Sequence, residues 1–562
     1  MRNINQHVLK SKESCAISQN EFSKEIAEIP ALEVETPQEK FKESDAGDGT
    51  KRKDHILTGT KFYLCVLSLI LCLFLIALDQ MITAAVLTVI SNYFNEFDKL
   101  TWITSAYMIP MGCCAQVWGR LSINFGRKWT LVTGIIFFEI GSLISGVANS
   151  MNMLICGRAI QGIGGSCIQT VVTIISTEIT TIDKRPIIIA VMGLTFVFAS
   201  AFGPIIGGIF GTYLSWRWCF YLNLCCSAII FPFFILTYKP KMPTTTIKEK
   251  LKTVDVLDNF LLMSSCVLLL LGLSLGQTSN DWGSVSVIIC FVLGGVLFII
   301  FLIWNFKYSK YPVIPGNIFF NKQIFISFMI IMLSYSCIMV CIQFLSVYFE
   351  NVINHNAFHT GLSLIPLAVT ISLTSIISGI LMKVFSLIKI YSLISGFSLP
   401  IAVGLLMLLG IKENLGYTIG FQILLAASNG LNFQGPFMIA MLYAPKDPGS
   451  TILTTALINF GRSIGTAVFS NIGEELYTST LQNYLAKITG SLQGTAYSVQ
   501  AILLRSDLIS KMNKHDHDLI AEQMLKSIHN VFWMVFAISI ISLIFTFFMS
   551  NRKLPKKSEI ET

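Results

Sequence analysis

Charged residues are scarce in this chain. Asp, Glu, Lys and Arg make up 13% of its 562 residues, whereas hydrophobic residues make up 53%. A soluble protein of this length would fold as several domains and would carry about 25% charged residues. The low charge and the mean hydropathy of +0.67 therefore exclude a soluble protein and indicate a chain that lies largely within a lipid bilayer.

Motifs that would indicate other functions are also absent. No Gly-Lys pair occurs, so the chain has no Walker A loop and cannot by itself couple transport to ATP. None of the fourteen cysteines forms a C-x-x-C motif, and no metal-ligand spacing or nucleophile–base pair is visible. We therefore expect no enzyme activity, no cofactor and no metal site.

The apolar residues occur in long runs. About 20 apolar residues are needed to cross a hydrocarbon core of roughly 30 Å, and backbone groups within lipid must be satisfied inside the segment, as in a helix. The predicted fold class is an all-α polytopic membrane protein of about fourteen transmembrane helices, at residues 62–90, 101–118, 129–149, 152–177, 186–211, 217–238, 256–276, 284–304, 324–349, 360–382, 388–410, 415–443, 452–473 and 530–550.

Basic residues are concentrated in alternate loops. If the N-terminus is cytoplasmic, the loops on its side hold most of them, including Arg127, Lys128 and Lys184, whereas the opposite loops hold little beyond Lys99 and Lys412. This asymmetry is the positive-inside pattern, and it predicts that both termini are cytoplasmic. The net charge of +8 therefore reflects membrane topology, and we expect no nucleic-acid partner.

The loop after the second apolar run carries a short motif. It reads GRLSINFGRK, in which Gly119 and Gly126 allow a tight turn and Arg127 and Lys128 add positive charge. This motif resembles the G-x-L-x-D-x-x-G-R-K signature of the major facilitator superfamily. Ile123 replaces the Asp of that signature, which puts in doubt the conformational lock that the resemblance attributes to this carboxylate.

Further motifs follow in the order of that superfamily's fourteen-span drug:proton antiporters. The first run contains ALDQMI, with Asp79, and the fourth contains LICGRAIQGIGGS, with Arg158 and Gln161. GPIIGG and WRWCFYLNL resemble the antiporter and subfamily signatures, through Gly203, Pro204, Gly207, Gly208, Trp216, Arg217, Trp218 and Asn223. The chain is most similar to the fungal group that contains vacuolar basic amino-acid transporters and drug or dye resistance pumps.

The resemblance implies two six-helix bundles with two extra central helices. It also implies that the motif glycines and the loop cations Arg127 and Lys128 act in gating, the conformational change that opens and closes the transporter. It further implies a monomer surrounded by membrane lipid. The predicted regions are a disordered cytoplasmic tail at 1–60, an N-terminal bundle at 61–238, a cytoplasmic linker at 239–255, two added helices at 256–304, a C-terminal bundle at 305–550 with a long non-cytoplasmic loop at 474–529, and a cytoplasmic tail at 551–562.

Ionisable residues within apolar runs are costly to insert, so each is a candidate functional residue. Asp79 and Arg158 could couple protons or form a structural ion pair, and the sequence does not tell whether they meet. Glu139 could attract a cationic substrate or pair with another helix. Gln161 could line a polar cavity or bond across helices. For Arg462 the position favours a structural or gating partner over a direct substrate ligand.

These observations favour a proton-coupled antiporter of small cationic or amphipathic solutes. Its expected partners are one small-molecule substrate and protons. The first choice is basic amino acids (lysine, arginine and histidine) moved into a vacuole, because intramembrane carboxylates suit cations. The alternatives are efflux of toxic compounds at the plasma membrane and a membrane sensor that does not transport.

Overall fold

The computed structural model describes residues 43–555 except 46, 97–98, 242–253, 280–281, 356, 413 and 489–513. The described residues contain helices and no strand. The fourteen long helices, labelled α1 to α14, are Gly59–Phe94, Leu100–Phe125, Arg127–Gly146, Met151–Glu178, Arg185–Tyr213, Trp218–Thr237, Val256–Ser279, Val285–Ile303, Lys322–Val347, Ile365–Phe385, Ile388–Leu406, Leu415–Asn432, Ser450–Ile488 and Lys514–Phe547.

Thirteen of the fourteen predicted runs fall largely on one of these helices. The run at 415–443 is divided between α12, which ends at Asn432, and a short helix at Gly435–Leu442. Eleven helical segments of the described chain are long and apolar enough to cross a bilayer. The all-α polytopic fold class is therefore confirmed. Several helices are longer than the hydrophobic runs, because their ends continue into polar sequence beyond the expected hydrocarbon core.

Helices α1–α6 and α9–α14 form two sets of six. Within the first set, α4 packs against α2 and α3, and α1 packs against α5; within the second set, α9 packs against α13 and α14. The two sets meet where α2 packs on α13 and α5 on α10. Helices α7 and α8 pack on each other, and α8 is apolar and mostly exposed, as expected for a helix that faces lipid.

Two polar regions differ from their predicted structure. The expected loop at 474–529 is shorter, because α13 continues to Ile488 and α14 already begins at Lys514. The predicted disordered tail includes residues 43–58, yet Ser44, Asp48 and Thr50 are buried against the helices. The other residues of the tail, 1–42, lie outside the described residues, as do most of the linker at 239–255 and the C-terminal residues 556–562.

The glycine stripe of α5 lies against α1. A Cβ at Gly207 would lie 2.8 Å from the Cβ of Ala85, and one at Gly203 would overlap Met81, whereas a Cβ at Gly208 meets nothing within 4 Å. Pro204 lies between these glycines on the same helix. Close approach of two membrane helices relies on such small residues.

Gly207→Leu is therefore expected to reduce the amount of folded protein severalfold, because its side chain would force α5 away from α1. Gly208→Leu is the matched control, since it adds the same side chain one residue further on, where space is open. Fluorescence-detected gel filtration of the two variants checks the difference. Equal yields would show that this contact is dispensable.

Candidate functional site

A polar network lies inside the first set of helices. Asp79 of α1 receives a hydrogen bond from Arg158 of α4, with 2.7 Å between Nη1 and Oδ2. Its second oxygen accepts from the amides of Gln161 and Asn223, both at 2.7 Å. Gln161 also accepts from Arg158 and donates to Ser142 of α3. The network therefore joins four helices, α1, α3, α4 and α6, around one carboxylate that accepts directly from α4 and α6.

The network is fully removed from solvent. Asp79, Gln161, Asn223 and Ser142 are 0% exposed, and Arg158 is 2% exposed. The Arg158 guanidinium lies over the ring of Tyr107, 4.3 Å from its centroid, which adds a cation–π contact to the ion pair. A buried ion pair is stable only when its remaining donors and acceptors are also satisfied, and here Asp79 uses both of its oxygens.

The sequence around Arg158 allows the helices to approach this closely. Arg158 and Gln161 are three residues apart, so they project from one face of α4. A Cβ at Gly162 would overlap the Tyr107 backbone of α2, and one at Gly164 would overlap the Phe138 backbone of α3. The glycines of this motif therefore bring α2 and α3 against α4 and place the two charges in the core.

The tryptophan-rich signature anchors the start of α6. Trp216 is 3% exposed, and the Arg217 guanidinium lies 4.6 Å from its ring centroid and donates to the Ala148 carbonyl at 2.8 Å. Trp218 is exposed and packs edge-on against Tyr221. Of the four signature residues identified from the sequence, Asn223 is the one that hydrogen-bonds within the network, and Phe220 of the same stretch places its ring 5.9 Å from the Arg158 guanidinium. Sequence reasoning had identified Asn223 as a signature residue without a partner.

Glu139 and Arg462 lie outside the network. One Glu139 oxygen accepts a hydrogen bond from Ser227 of α6, and the other has no partner among the described residues. The contact joins α3 to α6, as expected of a helix-packing pair. Arg462 belongs to α13 of the second set of helices and stacks between Tyr335 and Phe433.

A second cluster of charges lies at the end of the bundle that carries the GRLSINFGRK loop. Arg127, at the start of α3, donates to both oxygens of Glu178, at 2.7 Å from Nη2 and 2.9 Å from Nε. It also pairs with Asp48. All three side chains are at most 3% exposed. Ile123, which replaces the signature Asp, is buried nearby on α2, so Asp48 supplies a carboxylate that this loop lacks.

The loop glycines and Lys128 hold the same end of the bundle together. Gly126 has φ of +87° and links α2 to α3 in a conformation that favours glycine. A Cβ at Gly119 would overlap Ala456 of α13, so this glycine allows the two sets of helices to meet. Lys128 donates to the Ile235 carbonyl near the end of α6, at 2.9 Å.

Residues 43–45 and 47–50 connect the two sets of helices at this end. Toward the first set, Glu43 pairs with Arg185 at 2.8 Å. Toward the second set, Ser44 and Thr451 hydroxyls lie 2.7 Å apart, and the Gly449 amide donates to the Asp45 carbonyl at 2.8 Å. We call residues 43–50 the bridging segment.

Asp48 remains ionised within the bridging segment. Burial by itself would raise the pKa of Asp48, but Arg127 and two hydrogen bonds from Thr50 offset this, and the pKa lies below its usual value. Because the folded-state pKa is lowered, the stabilising ion pair is present at neutral pH and is lost only as the pH falls through that lowered value.

Membrane-length helices in two sets of six, which meet through a glycine contact and enclose a buried ion pair, are an architecture typical of membrane transporters. Residues 69–470 match the sequence profile of the Major Facilitator Superfamily. The chain belongs to this superfamily.

Fungal transporters are among its relatives. Vacuolar basic amino acid transporter 5 of Saccharomyces cerevisiae is 30% identical over 92% of this chain and 96% of its own length. The MFS-type transporter ppz2 of Metarhizium majus is 31% identical over 87% of this chain and 83% of its own. The efflux pump roqT of Penicillium rubens is 28% identical over 78% of this chain and 81% of its own.

Solved structures share the fold. The human organic anion transporter MFSD10 and the proton:xylose symporter XylE each superpose with a TM-score of 0.56 at 12% identity. They cover 87% and 88% of this chain, and the matches span 100% and 98% of those proteins. At this identity the likeness concerns the fold alone.

Proposed function

We propose that this chain is a proton-coupled antiporter that moves a small cationic solute out of the cytosol, with basic amino acids carried into the vacuole as the first choice. The observation that carries the proposal is the buried network around Asp79, because a carboxylate that holds an interior guanidinium can exchange that partner for a proton. The name of the yeast relative supports the choice of substrate.

Protonation of Asp79 would disturb the packing of the first set of helices. An ionised Asp79 balances the charge of Arg158, whereas a protonated one leaves that cation without a counterion. Losing one partner of a buried pair costs about 3–5 kcal/mol, and inverting a 1:99 conformational equilibrium takes about 5.5 kcal/mol. Protonation of Asp79 would therefore destabilise the present arrangement of α1, α4 and α6 by an amount comparable to that needed to change it. The driving free energy would come from the proton gradient.

The bridging segment would act in the transport cycle when the cytoplasmic face is closed. The basic loops support a cytoplasmic location for this end of the bundle. There Asp48 and Arg127 would hold the cytoplasmic face shut, in place of the loop carboxylate that is absent at Ile123. Gly119, Gly126 and Lys128 would serve the same closure, while the α5 glycines would let α5 move along α1 during exchange.

Efflux across the plasma membrane is the second candidate function. It is favoured by the names of relatives such as the Penicillium efflux pump. The two candidates share one mechanism and differ in membrane and substrate. Microscopy of the tagged protein in a fungal cell separates them, since basic amino-acid loading requires the vacuolar membrane.

Accumulation of labelled lysine or arginine in sealed vesicles tests proton antiport directly. Vesicles acidified inside, with the non-cytoplasmic face of the protein toward the lumen, are expected to accumulate the solute. A pH difference supplies about 1.4 kcal/mol per unit, or roughly tenfold accumulation for each proton exchanged. A protonophore should abolish it. Accumulation that persists after the gradient is collapsed contradicts proton antiport.

A further inference from the structure

Arg462 lies in a pocket lined by the second set of helices and has no counterion within the part of the chain that the structure describes. Its guanidinium stacks between the rings of Tyr335 on α9 and Phe433 after α12, 5.0 Å from each centroid. Its Nε is buried without an acceptor, and no carboxylate of the described residues pairs with it. The network around Asp79 does not include this arginine.

An unpaired guanidinium in this position is energetically unfavourable. Removal of a cation from water is costly unless an anion compensates, and two aromatic faces offset only part of that cost. Arg127, Arg158 and Arg185 are also buried, but each has a carboxylate partner. Arg462 therefore differs from the buried arginines that stabilise the fold.

An amide group of the pocket also lacks a partner. Asn432 lines the pocket, is 5% exposed, and its Oδ1 has no donor among the described residues. Buried amides are normally hydrogen-bonded. One acceptor without a donor and one cation without an anion, the Asn432 Oδ1 and the Arg462 guanidinium, therefore line the same pocket.

The pocket lies at the boundary between the two sets of helices. A Cβ at Gly193 of α5 would lie 3.6 Å from the ring of Phe433, so the first set borders the ring that covers Arg462. Transporters of this architecture bind their substrates between the halves. The position of Arg462 is therefore suitable for contact with a solute during exchange.

We propose that Arg462 binds the carboxylate of the transported solute, and that the amide oxygen of Asn432 accepts a hydrogen bond from the ammonium group beside it. This inference rests on the proposed function and narrows it to solutes with an α-amino-acid head. A planar guanidinium binds a carboxylate through two parallel hydrogen bonds. A lipophilic cation without a carboxylate would leave Arg462 unpaired and add a second positive charge to the pocket.

Binding of lysine and of cadaverine to the purified full-length protein tests this inference. The two molecules have the same amines, and only lysine has a carboxylate. Wild type is expected to bind lysine about 10- to 100-fold more tightly than cadaverine. In Arg462→Gln this preference should fall below about threefold. Arg462→Lys keeps the positive charge but not the two parallel donors, and it should retain part of the preference for lysine over cadaverine.

The affinity ratio within one variant does not depend on how much of the protein is folded. Binding in detergent also does not require a proton gradient, so the assay separates this inference from proton coupling. Hexanoate is the third probe: if it binds in an Arg462-dependent manner while lysine does not, the carboxylate site stands and the basic amino-acid substrate is wrong. Equal binding of lysine and cadaverine to wild type, or no binding of any probe, would overturn the inference.

Discussion

Replacing Asp79 with Asn is expected to reduce solute accumulation to the level of empty vesicles. The amide is almost the same size as the carboxylate and can still accept hydrogen bonds from Gln161 and Asn223, but it carries no charge to balance Arg158 and cannot take up a proton. We expect accumulation driven by a pH difference to fall at least about 100-fold. Neither binding of a proton at residue 79 nor release of Arg158 from a charged partner remains possible. Uptake into acidified vesicles measures the effect.

Two further variants separate coupling from stability. Asp79→Asn combined with Arg158→Gln leaves no unpaired buried charge, so it should restore abundance without restoring accumulation. Glu139→Gln makes the same kind of change at a carboxylate that contacts Ser227 and lies outside the network, and it should keep uptake within about twofold of wild type. Normal accumulation by Asp79→Asn would exclude the proposed coupling role.

Asp48→Asn is expected to lower the concentration of cytosolic solute that gives half-maximal uptake by about tenfold. The change removes the charge that Asp48 presents to Arg127, and hydrogen bonds to charged groups contribute about 1.5–3 kcal/mol. Because only the open form binds cytosolic solute, the apparent affinity rises in proportion to the fraction that is open. Initial uptake rates over a range of lysine concentrations give the value.

Asp54→Asn is the matched control at the same end of the chain. Asp54 is exposed and pairs with Lys241, which is 65% exposed, so this substitution removes a carboxylate charge without touching Arg127. It should leave the half-maximal concentration unchanged within about twofold. If Asp48→Asn and Asp54→Asn behave alike, the Asp48–Arg127 pair does not control opening of the cytoplasmic face.

The predictable parts of this protein were those encoded by local pattern. Runs of apolar residues gave the helices, because the hydrophobic length of a span depends on its own sequence alone. Asp79 and Arg158 could be identified as unusual for the same reason. The contact between Asp79 and Arg158 could not be predicted, because it depends on the rotation of α1 and α4 about their axes. That rotation is determined by glycine contacts with other helices.

Asp48 was missed for a related reason. Its surroundings are polar and charged, and this composition is typical of disorder when it is considered alone. The partner that orders it, Arg127, is 79 residues away and belongs to a motif that already had a family interpretation. The replacement at Ile123 was the one sequence signal that pointed to such a partner. An arginine in this loop that lacks the usual carboxylate of the signature needs a carboxylate from elsewhere in the chain.

The bridging segment also has a consequence for the order in which the chain assembles. Residues 43–50 emerge from the ribosome before the fourteen long helices named above, and their partners Arg127 and Arg185 follow within the first half of synthesis. Ser44 and Thr451 are 407 residues apart, so their contact cannot form until α13 has been made. The bridging segment would already be bound to the first six helices when the second six are made, and it would provide a surface for them to pack on. The contacts that close this face of the nascent transporter would therefore form only as its synthesis nears completion.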